Sequence, residues 1–137
     1  MVAINRRFRN ACQPIMNNVS RGPFAERGAQ VWRDLQNKVH RSGDLPAVVW
    51  PDGRLRWYTH GNLDRGGDKP AVENPDGERR WLRQGVLHRT GDKPAVIYAN
   101  GKQEWYVNGQ LHRGGNKPAV TYPGGDGEWW VNGVRVD

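Results

Sequence analysis

The sequence predicts a mainly β fold: an elongated antiparallel sheet of tandem β-hairpin repeats, preceded by a short N-terminal helical segment. Three observations carry that prediction. The tripeptide Pro-Ala-Val recurs at Pro46, Pro70, Pro94 and Pro118, each 24 residues after the last, with no insertion or deletion. A fixed period of this length marks a repeat architecture. Gly (18) and Pro (9) interrupt the 137-residue chain too often for a helical bundle. Seven Trp residues argue against disorder, because a disordered chain has no core in which to place them.

The chain divides into three parts. Residues 1–22 contain Arg6, Arg7, Arg9 and Arg21 and no acidic residue. Ile4, Phe8, Ala11, Cys12, Ile15, Met16 and Val19 recur there at helical spacing, opposite Arg6, Asn10, Gln13 and Asn17. This basic segment is expected to form an amphipathic helix that Pro14 breaks or kinks. Its apolar stripe is expected to cover the first edge of the sheet, since bare edges invite aggregation. A membrane-surface or partner-docking helix is the alternative. Residues 23–39 read as a degenerate half-repeat that caps the array with a ninth strand. Gly28 stands four residues before Trp32, as Gly53, Gly77, Gly101 and Gly125 stand before Trp57, Trp81, Trp105 and Trp129. Residues 40–137 hold four units, 40–63, 64–87, 88–111 and 112–135, with eight of 24 positions identical in all four.

Each unit is expected to contain two strands. Pro-Ala-Val-x-Tyr makes the first, with Pro at the start, where no ladder N–H is needed. Pro-Asp-Gly or Ala-Asn-Gly then turns the chain, because Gly and Asn accept positive φ. An aromatic and β-branched run such as Gln103–Val107 makes the second strand. Asn108-Gly109 and Asn132-Gly133 turn the chain again, and His-Arg-x-Gly-Asp-Lys leads to the next Pro. Strand alternation places Trp57, Trp81, Trp105 and Trp129 on one face with Thr59, Arg83, Val107 and Val131. Tyr58, Leu82, Tyr106 and Trp130 fall on the other. Two strands per unit bring equivalent Trp residues to about 9.6 Å, forming a structural ladder with Ala and Val between the rings.

The Trp-x-x-Asn-Gly-x-x-His stretch, with its Gly-containing loop and Asp-Gly or Asn-Gly turn, resembles a MORN repeat. The His-Arg-x-Gly-Asp-Lys-Pro-Ala-Val variant is similar to tandem repeats in proteins of large DNA viruses, the Marseillevirus group above all. The resemblance covers 40–137 well, 23–39 weakly and 1–22 not at all. It implies stacked hairpins in an elongated sheet. It also implies a viral protein inside the host cell, in the nucleus or viral factory or packaged in the virion. His-Arg stands here where a usual MORN unit has His-Gly, so lipid or partner binding is only loosely implied.

Catalytic and metal chemistry find little support. Cys12 is the only cysteine, so the chain can build neither a disulfide nor a cysteine zinc site by itself. His40, His88 and His112 recur at the repeat spacing, which keeps them from converging on one ion. Ser20 and Ser42 lie in no nucleophile pattern, and the glycines fall at turns rather than in a phosphate loop. An active site is a unique constellation, whereas here the most distinctive residues repeat. No enzyme, cofactor or small-molecule substrate is expected. No run is apolar enough for a membrane span or signal peptide, which reads as a soluble, intracellular chain.

Charge points to a partner. The net charge is +7, of which residues 1–63 carry +6 (ten Lys/Arg against four Asp/Glu). Arg41, Arg65, Arg89 and Arg113 recur once per unit, and Arg6, Arg7, Arg9, Arg54, Arg56, Arg79, Arg80 and Arg83 thicken the charge in the N-terminal half. These twelve are the candidate nucleic-acid contacts, to phosphates and with little sequence preference, DNA or chromatin being favoured. Arg54 and Arg56 share a strand face with Tyr58, and Arg79 and Arg83 flank Trp81, a mix that single-stranded binders use. Against this, each repeated Arg can pair with the Asp three residues later, and Glu104 and Glu128 replace Arg56 and Arg80. The alternative is a protein-interaction or self-assembly scaffold, with homo-oligomerisation through an edge near Val131–Val136; an anionic membrane surface is less favoured.

Overall fold

The computed structural model describes residues 18–137. The fold follows from where each unit bends. In the first unit β3 (Val48–Val49) and β4 (Leu55–Arg56) form one hairpin, and β5 (Tyr58–Thr59) and β6 (Asn62–Leu63) form another. The second unit repeats this with β7 (Val72–Glu73), β8 (Arg79–Arg80), β9 (Leu82–Arg83) and β10 (Val86–Leu87). The third has β11 (Val96–Ile97), β12 (Gln103–Glu104), β13 (Tyr106–Val107) and β14 (Gln110–Leu111), and the fourth β15 (Val120–Thr121), β16 (Gly127–Glu128), β17 (Trp130–Val131) and β18 (Val134–Arg135). Upstream, β1 (Arg21–Glu26) and β2 (Ala29–Arg33) make one further hairpin.

The first hairpins join into a ten-stranded sheet in the order β1-β2-β3-β4-β7-β8-β11-β12-β15-β16, all antiparallel. The order runs from β1 to β16 without closing, so the sheet is open rather than a barrel. The second hairpins remain separate two-stranded sheets. Each hooks onto its predecessor by one bond from the turn Gly amide: Gly61 to the Val39 carbonyl, Gly85 to Leu63, Gly109 to Leu87 and Gly133 to Leu111, at 2.7–2.9 Å.

Each Trp is the switch point between the two rows. Trp57 donates its N–H to the Ala71 carbonyl of the long sheet and accepts the Asp64 N–H from its own second hairpin; Trp81 and Trp105 do the same. The expected continuous strand Gln103–Val107 is therefore broken at Trp105, giving four short strands per unit instead of two. This break also overturns the expected faces. Trp57 is 6% exposed while Thr59 is exposed, and Tyr58 tucks in beside Val48 and Trp50. Strict alternation holds only along an unbroken strand.

Turn chemistry explains the break points. Trp50-Pro51-Asp52-Gly53-Arg54 closes with Gly53 N–H to Trp50 O and Trp50 N–H to Arg54 O, a turn completed by Gly53 at φ 97°. That is a three-residue loop with glycine in the left-handed region. The second hairpins turn on two positive-φ residues, such as Asn108 (50°) and Gly109 (81°), the geometry that follows strand twist.

The core is thin and periodic. Ala47, Ala71, Ala95 and Ala119 are fully buried, and Val48, Val72, Val96 and Val120 nearly so. Trp57 packs with Ala71, Val72 and Leu82, flanked by Leu55, Leu63 and Leu87.

Three expectations about the ends change. The half-repeat supplies two strands, not one, and β1 takes in Arg21 and Gly22. The amphipathic helix falls largely on residues 1–17, outside the described residues; among the described residues there is no helix. The last edge of the long sheet is β16 rather than Val131–Val136, because that segment closes on itself as β17 and β18.

Candidate functional site

The repeated charged residues form internal clamps. Arg89 lies 3.7 Å from the Trp81 ring centroid, donates from Nη1 to the Pro94 carbonyl at 3.0 Å, and pairs through Nε with Asp68 at 2.8 Å. Lys93 reaches the other oxygen of Asp68 at 2.9 Å. Arg65 repeats the arrangement over Trp57 with Pro70, Asp44 and Lys69, and Arg113 over Trp105 with Pro118, Asp92 and Lys117. Arg41 caps Trp32 and donates to the Pro46 carbonyl. The anticipated pairing with the Asp three residues later is replaced by one with the Asp of the preceding unit, 21 residues back. The clamp thus ties neighbouring units together.

These clamps account for the loop sequence. Asp44, Asp68 and Asp92 sit at φ 52–54°, directly after a positive-φ Gly, where Asp and Asn are the residues that tolerate the conformation. Asn116 occupies the fourth equivalent position at φ 54°. Hydrogen bonds from the Arg and then the Lys lower the carboxyl pKa of Asp44, Asp68 and Asp92 to about 2. The lid arginine side chains are only 12–15% exposed. Arg65, Arg89 and Arg113 therefore do not form the open row that a phosphate backbone would follow.

The histidines hold turns. Nδ1 of His40, His88 and His112 accepts the backbone N–H of His60, Asn108 and Asn132, each at 3.0–3.1 Å. Each thus serves as an acceptor for a backbone amide of the following second hairpin. Asp64, in place of a fourth His, pairs with Arg83 at 3.2 Å. At the first unit His60 also meets the buried Asp34 at 2.6 Å and stacks on His40 with centroids 4.0 Å apart. Asp34 is held below its ordinary value: burial raises it, but hydrogen bonds from His60 and the Lys38 and Gln36 amides prevail. His40 is lowered by burial and then by the His60 charge. Among the described residues no group of three His, Cys, Asp or Glu is placed to hold a metal ion, and no helix is long and apolar enough to cross a membrane.

Arg54, Arg56 and Arg80 gather on one sheet face, which the sequence alone did not reveal. Register carries Val48, Arg56, Val72, Arg80, Val96, Glu104, Val120 and Glu128 across the sheet as one row. Partners in an antiparallel ladder share a face. Beside this row stand Trp50, Asn74, Tyr98 and Tyr122, contacted by its charges. Arg54 and Arg56 lie 4.6 and 5.4 Å from the Trp50 centroid, and Arg56 donates to Asn74 at 2.8 Å. Glu104 accepts from Tyr98 and pairs with Lys102, and Glu128 accepts from Tyr122 and Trp130. Tyr106 belongs here too, its hydroxyl pKa pushed up to about 12 by burial and then by Glu104. Arg79 points to the opposite face and is exposed, one residue out of step with Arg80. Arg6, Arg7 and Arg9 lie outside the described residues.

Clefts of about 530, 610 and 500 Å³ open at equivalent places in three successive units, lined in turn by Trp57 and Arg65, Trp81 and Arg89, and Trp105 and Arg113. Their recurrence makes them part of the frame. No family model, no curated protein and no solved structure matches this chain.

Proposed function

We propose that the protein is a non-enzymatic protein-interaction scaffold whose recognition surface is the face bearing the Val48–Glu128 row. One observation carries this reading. Positions that repeat identically are spent on turns, core and clamps, whereas this face carries two positions, those of Trp50 and Arg54, that change from unit to unit. Residues 50, 74, 98 and 122 are Trp, Asn, Tyr and Tyr, and residues 54, 78, 102 and 126 are Arg, Glu, Lys and Asp. A constant frame carrying variable residues on one broad surface is how repeat proteins build binding sites. The MORN-like character of the repeats fits the same reading.

The nucleic-acid or chromatin reading is the second, narrowed to Arg54, Arg56, Arg79, Arg80 and Arg83. What favours it is the Arg54–Trp50–Arg56 cluster, whose ring and guanidinium groups are partly open to solvent. Titration of the full chain with DNA and RNA, duplex and single-stranded, at about 50 and 200 mM salt separates the two. The scaffold reading expects no binding that depends on array residues. Submicromolar binding that falls steeply with salt and is lost in an Arg54→Ala, Arg56→Ala double variant overturns it in favour of nucleic acid.

A further inference from the structure

The same face carries an antisymmetric charge pattern. In chain order the inner row reads Arg56, Arg80, Glu104, Glu128, and the row two residues before it reads Arg54, Glu78, Lys102, Asp126. Alternation keeps the two rows on one side of the sheet. Reversing the order of the units inverts the sign at every position. Arg56 then faces Glu128, Arg80 faces Glu104, Arg54 faces Asp126, and Glu78 faces Lys102. No pair is left like-charged.

Building on the scaffold reading, we infer that the partner of this face is a second copy of the chain, packed face to face with its units in reverse order. A two-fold axis parallel to the strands, midway between the two sheets, produces this arrangement. It turns the faces toward each other, reverses the order of units and keeps each row opposite itself. A two-fold interface must be self-complementary in this way. Aligned sheets pack about 10 Å apart, which suits side chains of this size. The flanking aromatic residues follow, with Tyr58 opposite Trp130 and Tyr98 beside the axis.

The dimensions are sufficient. The seven strands from β4 to β16 that overlap, at about 4.8 Å each, and a width of five residues at about 3.3 Å give roughly 550 Å² per copy. The total of about 1,100 Å² clears the roughly 1,000 Å² expected of a biological interface. Affinity comes from the partly exposed aromatic side chains, since Val48, Val72, Val96 and Val120 are already buried within each copy, while the charges set orientation and register. Glu104 is buried beneath its own contacts to Lys102 and Tyr98, so the accessible pairs are the outer ones, Arg54–Asp126 and Arg56–Glu128.

The test uses the full chain in analytical ultracentrifugation at low salt. One variant carries Arg54→Glu and Arg56→Glu, the other Asp126→Arg and Glu128→Arg. Each alone sets like charges against each other at both ends of the interface, which is expected to raise the dimer Kd about 100-fold or more. Mixed together, the two variants are expected to form a one-to-one heterodimer, a rescue that no structural role of these residues produces. Circular dichroism checks folding; should a double variant unfold, Arg54→Glu and Asp126→Arg alone serve as the pair, since both sites are at the surface. A wild type that stays monomeric at about 100 μM overturns the self-pairing, as does a dimer indifferent to both reversals. Neither result touches the scaffold reading, which stands or falls on the polyanion titration.

Discussion

Removing one clamp at the centre of the array tests how the units are held together. In Arg89→Ala three interactions vanish together. The arginine side chain over Trp81, 13% exposed, contributes about 1 kcal/mol as a partly desolvated cation–π contact. The charged hydrogen bond to the Pro94 carbonyl contributes about 1.5 kcal/mol. The Asp68 carboxylate is 41% exposed, so its ion pair is discounted for solvent screening to roughly 0.5 kcal/mol. Arg89→Ala is thus expected to cost about 3 kcal/mol in urea unfolding. Asp68→Asn, which keeps the positive-φ tolerance that Asn116 displays, is expected to cost only about 0.5–1 kcal/mol. Arg89→Lys keeps the charge but loses the planar fork, and falls between them. A double-mutant cycle between the two sites isolates the ion pair and is expected to give a coupling below about 1 kcal/mol. A loss under about 1 kcal/mol for Arg89→Ala, or a larger loss for Asp68→Asn, refutes the assignment of Arg89 as a lid held mainly by Trp81 and Pro94.

Stability is expected to fall in two stages as pH drops. His40 has a lowered pKa, so the unfolded chain takes up its proton first, and stability declines as pH falls below about 6.5. Asp44, Asp68 and Asp92 titrate near 2 when folded, so their contribution is complete above about pH 4 and disappears between about 4 and 2. Denaturation monitored across pH resolves the stages, and His40→Gln is expected to remove the upper one alone. Val96 is 1% exposed, and Val96→Ala is expected to cost about 2 kcal/mol in urea unfolding with an unchanged m-value. Asn108 sits at φ 50°, so Asn108→Ala is expected to cost about 1–2 kcal/mol by the same measurement, although its amide still reaches His88.

Much of this architecture is legible in one line of sequence because the repeat states its own rules four times. The 24-residue period and the Asp-Gly and Asn-Gly turns depend on local preferences that any single unit displays. The clamp was half legible: the repeated Arg and Asp announce an ion pair, but nothing local chooses between an Asp three residues away and one 21 residues back. Stacking of the units makes that choice by bringing Asp68 over Trp81 just as Arg89 arrives there. The strand break at each Trp was hidden for a similar reason. A run such as Gln-Glu-Trp-Tyr-Val has continuous β propensity, and only the competing bonds of two neighbouring rows split it.

The sequence by itself determined the unit, the turn chemistry and the residues that must be buried, because these rest on backbone tolerance and hydrophobicity, which act within a few residues. Tertiary structure alone decided which charges are locked and which are presented. Arg65, Arg89 and Arg113 look like free cations in the sequence and are lids, whereas Arg56, Arg80, Glu104 and Glu128 look like scattered substitutions and are one row. The difference lies in register: side chains of residues 8 or 16 apart become neighbours only when the ladder sets them opposite one another.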